Sequence, residues 1–387
     1  MQMTQVYQIL NTITGEILGD SIVVAEDLSN IVDIGKAYAN AGSLDNYVRA
    51  LNDHIGKMVF VDRVYSGRAP SVLMDGWEYG SMLEKVRGDL PDATENESWE
   101  LTNGQSYDPN IFYKPDVAVK FFNDRVTFEV PVSFTEKQVK SAFSSAVQMN
   151  AFMSMIRTNV ENSLTVKMDS LIMRTINAGI GETLYNEFNN GTYTGVSGVK
   201  AVNLLYLYNT KFSQTLIASA AITDPAFIRF ASYTIKNYIR RMQDMSKLFN
   251  VGGTAKFTPA DRMHVVMLDE FKNAADVYLY DGLNQFNTEN IRLPGNMETV
   301  SYWQGSGLSY DFADTSKINV KTPTGHDVTA TGILGVIFDR DTLGVTNVDS
   351  RVTTNYNPKA EFFNEWHKRD AGYFLDLDEN FVVFYVA

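Results

Sequence analysis

Between Thr135 and Ala178 the chain contains neither glycine nor proline. These two residues interrupt a helix most strongly, so a run of forty-four positions without them restricts the available folds. Val139, Ala142, Phe143, Ala146, Val147, Met153, Ile156, Val160 and Leu164 keep a helical stripe. Ser133-Phe-Thr-Glu136 and Thr135-Glu-Lys-Gln138 both match the capping-box pattern at its start. Gly179 stands where a cap glycine would close the end. One unbroken helix of this length extends about 65 Å. That exceeds the width of a small domain, so the run predicts a spine crossing the molecule. A break near Asn159–Asn162 fits the pattern equally well.

The flanking segments are mixed. Upstream, Asp27–Ala39 and Ser43–Ile55 have helical spacing, with Ser43 as N-cap and Leu44, Tyr47, Val48, Leu51 and Ile55 on one face. They read as short helices on an N-terminal arm. Strand patterns follow at Trp77–Arg87 and Val117–Val132, around an acidic stretch with Asp89, Asp92, Glu95, Glu97 and Glu100. The simplest arrangement is a long two-stranded excursion with a wide acidic tip. Isolated two-stranded hairpins are marginal in water, so this one is expected to lie on something else, such as a neighbouring subunit.

Downstream, Asp224-Pro225 starts a helix whose apolar face holds Phe227, Phe230, Ala231, Thr234, Ile235, Tyr238, Ile239 and Met242, ending near Asn250. Met263–Leu268 reads as a buried strand and Asp269–Ala275 as a helix, with further strands near Glu298–Trp303 and Gly332–Asp339. This order predicts an α+β fold. After Val345 come a short polar stretch, a polar and aromatic hairpin over Tyr356–Tyr373, and a terminal strand at Phe381–Val386. The last strand ties the C-terminal residues into a sheet.

Length and composition set outer bounds. The 387 residues, 44% of them hydrophobic, suffice for two or three domains with a substantial core. With no cysteine, disulfides, thiolate metal sites and cysteine nucleophiles are excluded. A formal net charge of -13 disfavours sequence-specific nucleic-acid binding, which uses a basic face. An acidic shell around DNA is compatible with it, because counterions screen the repulsion. No apolar run approaches the roughly 20 residues a membrane helix needs, so no membrane partner is expected. The first residues lack the basic-then-apolar pattern of a secretory signal.

The chemistry-bearing residues do not converge on a motif. His54, His264, His326 and His367 lie far apart, and none pairs at metal-helix spacing. His264 sits inside an apolar strand and reads as core. His326 follows Pro323-Thr-Gly325 and reads as a turn. His367, between Trp366 and Lys368-Arg369, reads as a contact between subunits. Asp339-Arg-Asp341 and Asp376-Leu-Asp378-Glu379 lack EF-hand spacing, and Asx turns account for both. Gly252-Gly253 and Gly305-Ser-Gly307 match neither phosphate-binding pattern. Arg229, Lys236, Arg240, Arg241 and Lys247 form a basic helix face, read as solvated or as a row of intersubunit salt bridges. No catalytic, cofactor-binding or metal-ligating residue is assigned, and no enzyme is expected.

The order of elements resembles the HK97-type fold of tailed-bacteriophage major capsid proteins. It comprises an arm, a long two-stranded excursion, a spine helix starting at Thr135, a helix-and-strand domain and a closing C-terminal strand. The resemblance implies an N-arm at 1–62, an E-loop hairpin at 63–133, and a P-domain with the spine helix at 134–222. An A-domain would occupy most of 223–350, and residues 351–387 would return to the P-domain. It implies a shell subunit that forms hexamers and pentamers and encloses double-stranded DNA without reading its sequence. The implied partners are a scaffolding protein, a portal and cement proteins, with assembly in the bacterial host cytoplasm and residence in the virion. Some relatives crosslink an E-loop lysine to an asparagine; Lys85 or Lys114 with Asn355 or Asn357 are the counterparts here, and no site is assigned. An encapsulin-like compartment and a hydrolase using an Asp/Glu pair are the alternative readings.

Overall fold

The computed structural model describes residues 3–18, 23–40 except 26 and 28, 69, 72–74, 83–88, 90–114 except 92 and 94, 117–137, 146–189, 192–279, 296–304 and 311–387. The predicted arm helix at 43–55 with His54, the Gly305-Ser-Gly307 segment, and Val139, Ala142 and Phe143 of the predicted stripe lie outside them. The longer helices are α1 (Met3–Leu18), α2 (Ile31–Asn40), α3 (Ala146–Phe188), α4 (Leu204–Phe212), α5 (Pro225–Met242) and α6 (Asp269–Leu279). The early strands are β1 (Leu73–Met74), β2 (Leu83–Gly88), β3 (Val117–Phe122), β4 (Asp124–Thr135) and β5 (Ala201–Asn203). Then come β6 (Met263–Leu268), β7 (Asn296–Val300), β8 (Ile318–Lys321), β9 (Asp327–Ala330) and β10 (Ile333–Asp339). The last three are β11 (Leu343–Asn357), β12 (Phe362–Leu375) and β13 (Phe381–Tyr385).

The spine is present but displaced along the sequence. Helix α3 has 43 residues and passes unbroken through Asn159–Asn162, giving a length of about 65 Å. Ser133 and Thr135, the predicted caps, are strand residues of β4, and Ser133 Oγ lies 2.5 Å from Asn364 Oδ1. Gly179 does not end the helix, which continues to Phe188 and stops at Asn189 with φ 41°. Gly179 and Gly181 serve close packing instead. A Cβ at Gly179 would stand 3.0 Å from the Phe381 ring, and one at Gly181 would stand 2.7 Å from Val320. Packing thus overrides the unfavourable helix propensity of glycine.

Contacts divide the chain into two units. The first comprises Met1–Glu78, Arg125–Ile172 and Val345–Gly372. Its sheet has the order β1-β11-β12-β4. Leu10 and Ile13 of α1, Ile31 and Ile34 of α2, and Val160, Leu164 and Met168 of α3 are all buried. The two N-terminal helices therefore belong to a core rather than to a loose arm. The β-branched residues Thr12, Ile13 and Thr14 weaken the local propensity of α1, which hid it in the sequence. Phe134 of β4 stacks on Phe363 of β12 at 5.6 Å. The polar stretch after Val345 is not a loop but part of the 15-residue strand β11. Its Arg351, Thr353 and Asn355 are exposed, alternating with half-buried Ser350, Val352 and Thr354, the period of a half-covered strand. Asn357 Oδ1 accepts from the amides of Lys359 and Ala360 in the turn to β12.

The second unit comprises Tyr79–Asp124, Met173–Gly344 and Tyr373–Ala387. Its sheet has the order β5-β13-β10-β6-β7, antiparallel in the middle and parallel at both edges. Strands β6, β10 and β13 are buried along their whole lengths, so both faces are covered. Val382 and Phe384 share a core with Phe227, Ala231 and Ile235 of α5, and Tyr238 meets Phe384 edge-on at 5.4 Å. Side chains of the opposite parity face α3: Phe381 lies at Gly179, and Tyr385 meets Phe188 at 6.3 Å. Helix α5 begins as expected, with Asp224 Oδ1 accepting from the Phe227 amide at 2.7 Å. It ends at Met242, short of the predicted Asn250, because a bridge between Ser246 and Lys256 turns the chain there. The predicted closing segment 351–387 is shared: its residues up to 372 belong to the first unit and β13 completes the second.

Candidate assembly surface

Strands β2 and β3 form a two-stranded antiparallel sheet, with Leu83 opposite Phe122 and Gly88 opposite Val117. The predicted hairpin is present, but its second arm ends at Phe122. Asn123 separates it from β4, which joins the other sheet beside β12. Period two sorts the residues onto two faces. Leu83, Lys85, Arg87, Ala118, Lys120 and Phe122 are half-buried, whereas Glu84, Val86, Val117, Val119 and Phe121 are exposed. The polarity is inverted. Three cations face inward, while Val86, Val117, Val119 and Phe121 stand 63%, 55%, 45% and 59% exposed.

The inward cations meet a knot of carboxylates before β13. Lys85 Nζ lies 2.7 Å from Asp376 Oδ2 and 2.9 Å from Glu379 Oε1. Lys120 Nζ lies 2.9 Å from Asp376 Oδ1 and 2.7 Å from Asp378 Oδ2, and Arg87 Nη1 donates to Asp378 at 2.6 Å. Lys256 closes the knot on Glu379 at 2.8 Å. Burial opposes the charge of Asp376, but the hydrogen bonds from Lys85 and Lys120 prevail and hold its carboxyl below the usual range. Burial likewise opposes the charge of Lys120, yet Asp378 and Asp376 raise its pKa above the ordinary lysine value. Phe122 adds one apolar contact, with Phe374 at 5.4 Å. The hairpin is thus anchored mainly by ion pairs.

Between the strands, residues 89–116 carry seven carboxylates and one lysine. Trp99, Phe112 and Tyr113 project from this tip at 95%, 84% and 81% exposure. A folded monomer rarely presents so many aromatic rings together without a binding role.

The remaining sequence candidates resolve as structure. Asp376 Oδ1 accepts from the Asp378 amide and Asp339 Oδ1 from the Asp341 amide, the expected Asx turns. Arg262 pairs with Asp341. His264 is buried in β6 and stacks on Phe338; burial, then Arg340, lowers its pKa to about 4. His326 lies in a turn, stacked on Tyr185 at 3.8 Å. The reading of His367 and Arg369 as an outward contact is corrected. Both are buried, and His367 Nε2 lies 3.1 Å from buried Glu365. Strand alternation turns them inward and leaves Trp366 and Lys368 half-exposed; Lys368 pairs with Glu129 at 3.2 Å. Lys85 is engaged in the knot, whereas Lys114 and Asn355 are exposed. Gly252 packs against Asp378 and its amide donates to the Leu377 carbonyl, so it is no phosphate cradle. Among the described residues no cluster of His, Asp and Glu could hold a metal ion. No described helix is long and apolar enough to cross a membrane.

The role of Arg87, Lys120 and the outward apolar row was missed from sequence. The signal was there in Leu83-Glu-Lys-Val-Arg and Val117-Ala-Val-Lys-Phe-Phe, whose charged and apolar residues alternate. Which set faces inward depends on the carboxylates some 255 residues later.

A model of the Phi29-like phage major capsid protein family matches residues 10–385. The chain belongs to that family. Among solved structures, a chain of the capsid of Staphylococcus phage Andhra is similar at TM-score 0.51 and 10% identity, covering 84% of this chain and 86% of that one. A chain from the structure of the head fibre and inner core protein of native bacteriophage P68 is similar at TM-score 0.50 and 10% identity, covering 85% and 86%. At such identity the likeness is one of fold, and the fold is of the HK97 type. No curated protein matches by sequence. This capsid protein is a structural, self-associating component of a phage shell and not an enzyme. Its location is the virion capsid. The compartment and hydrolase alternatives find no support.

Proposed function

We propose that this capsid protein closes into hexameric and pentameric rings in which each β2–β3 hairpin lies across the next subunit. The observation that carries the reading is the inverted hairpin. Val86, Val117, Val119 and Phe121 face outward, while the ion pairs fix the opposite face to the subunit's own carboxylates. Such side chains contribute about 1.5–3 kcal/mol each when fully buried, and a neighbour supplies that burial. A head-to-tail contact of this kind is heterologous and closes into rings when the rotation permits.

On this reading residues 1–62 act as the N-arm, 63–133 as the E-loop, 134–222 as the P-domain, 223–350 mostly as the A-domain, and 351–387 as the closing segment. A separate scaffolding protein, a portal and cement proteins complete the shell, assembled in the host cytoplasm. The acidic chain encloses double-stranded DNA by screened proximity rather than by base contacts. The test is electron microscopy of purified protein beside a Val119→Ser/Phe121→Ser variant. Shells or capsomers from the parent, and soluble folded subunits from the variant, are expected. Normal shells from the variant would overturn the hairpin's role.

A further inference from the structure

Helix α5 contains Arg229, Lys236, Arg240 and Arg241 and no carboxylate, in a chain of net charge -13. Arg229, Tyr233, Lys236 and Arg240 are spaced by four, three and four residues and so share one face. Tyr233 stands 61% exposed in the middle of it. The stripe continues onto the end of α4. There Lys211 Nζ lies 5.5 Å from the rings of both Phe212 and Phe230, and Phe212 is 48% exposed. The two nearest carboxylates bracket the helix: Asp224 caps its start and Asp244 follows its end. The patch is therefore cationic and aromatic at once.

We propose that this patch receives the tip of the β2–β3 hairpin of a second copy of the chain. The proposal rests on the self-assembly reading above and names a contact additional to the apolar face of the hairpin strands. The tip is the complement in both respects: seven carboxylates against one lysine, with Trp99, Phe112 and Tyr113 exposed among them. Duplex phosphates would satisfy the cations but would offer no partner to Phe212 and Tyr233. Complementary charge sets partner and register, and aromatic rings with arginine supply the anchoring contacts at such surfaces.

Charge exchange tests the contact. A Lys236→Glu/Arg240→Glu variant and a Glu95→Lys/Glu100→Lys variant should each need about tenfold more protein to assemble, at unchanged circular dichroism. The chain carrying all four changes should return close to the parent. Failure of that rescue overturns the proposal, as does normal assembly of either double variant. Normal shells that lose only DNA from the Lys236→Glu/Arg240→Glu chain also overturn it, in favour of phosphate as the partner. A second measurement needs no shells, because the chain has no cysteine. Tyr233→Cys and Trp99→Cys chains, mixed with an oxidant, should give an intermolecular disulfide well above that of Val277→Cys mixed with Trp99→Cys. Equal yields refute the docking. If the parent forms no shells but the specific disulfide appears, the shell reading fails and this contact stands.

Discussion

The five-stranded sheet and the β2–β3 hairpin sit in the same unit and solve opposite problems. In the sheet, β6, β10 and β13 are apolar on both faces and every side chain is covered from within the subunit. In the hairpin, apolar side chains face out and cations face in. The first pattern makes a stable body by hydrophobic burial. The second leaves that burial to be gained from a partner, and holds the hairpin ready with ion pairs that cost little to part at a wet surface. The comparison teaches that this shell protein keeps stability and assembly in separate strands.

The sharpest way to break that separation is to damage the sheet. Phe384→Ala removes a fully buried ring from the core around α5 and should cost about 3–5 kcal/mol in denaturant unfolding. A change confined to assembly would mean the sheet is not the stabilising element. Next comes pH. His264 has a folded pKa of about 4, below its unfolded value, so the unfolded chain binds the extra proton. Stability is therefore full above about pH 6.5 and falls as pH drops toward 4, by about 3 kcal/mol. His264→Phe should flatten that slope while shifting the baseline.

The hairpin should respond locally. Asp376→Asn leaves Lys85 and Lys120 without their shared buried partner and should loosen β2 and β3 by about 2 kcal/mol. Hydrogen exchange would rise there while β6 and β10 stay protected; a global loss would sink the idea of a separate anchor. The depressed folded pKa of Asp376 gives its own sign. Its contribution is present above the unfolded carboxyl value of about 4 and is lost as pH falls through the lower folded value. The hairpin should therefore stay anchored at pH 5. The smallest effect on the subunit belongs to Phe121→Ser, within about 0.5 kcal/mol, although assembly should fail. A large loss of subunit stability would show that Phe121 is buried within its own chain after all.

Much of the body was legible in the sequence. Met263–Leu268, Asp224-Pro225 and Phe381–Val386 each announced their element through apolar runs or caps, because burial and capping act over a few residues. The misreadings share a cause in distant contacts. Gly179 looked like a stop, yet the helix continues because Phe381 packs against it. Ser133 looked like a cap, yet β4 pairs beside β12 and takes it as strand. His367 looked like an outward contact, yet alternation along β12 places it beside buried Glu365.

The sequence by itself determined that there would be a long helix, an acidic two-stranded excursion, an apolar closing strand and no cysteine chemistry. These follow from periodicity and composition, which are local. Only the tertiary structure decided which face of the hairpin turns outward. Its strands carry apolar and charged residues in alternation, so local preference does not choose between the faces. Asp376, Asp378 and Glu379 make the choice by drawing Lys85, Arg87 and Lys120 inward, where the attraction between close opposite charges outweighs the cost of their partial burial.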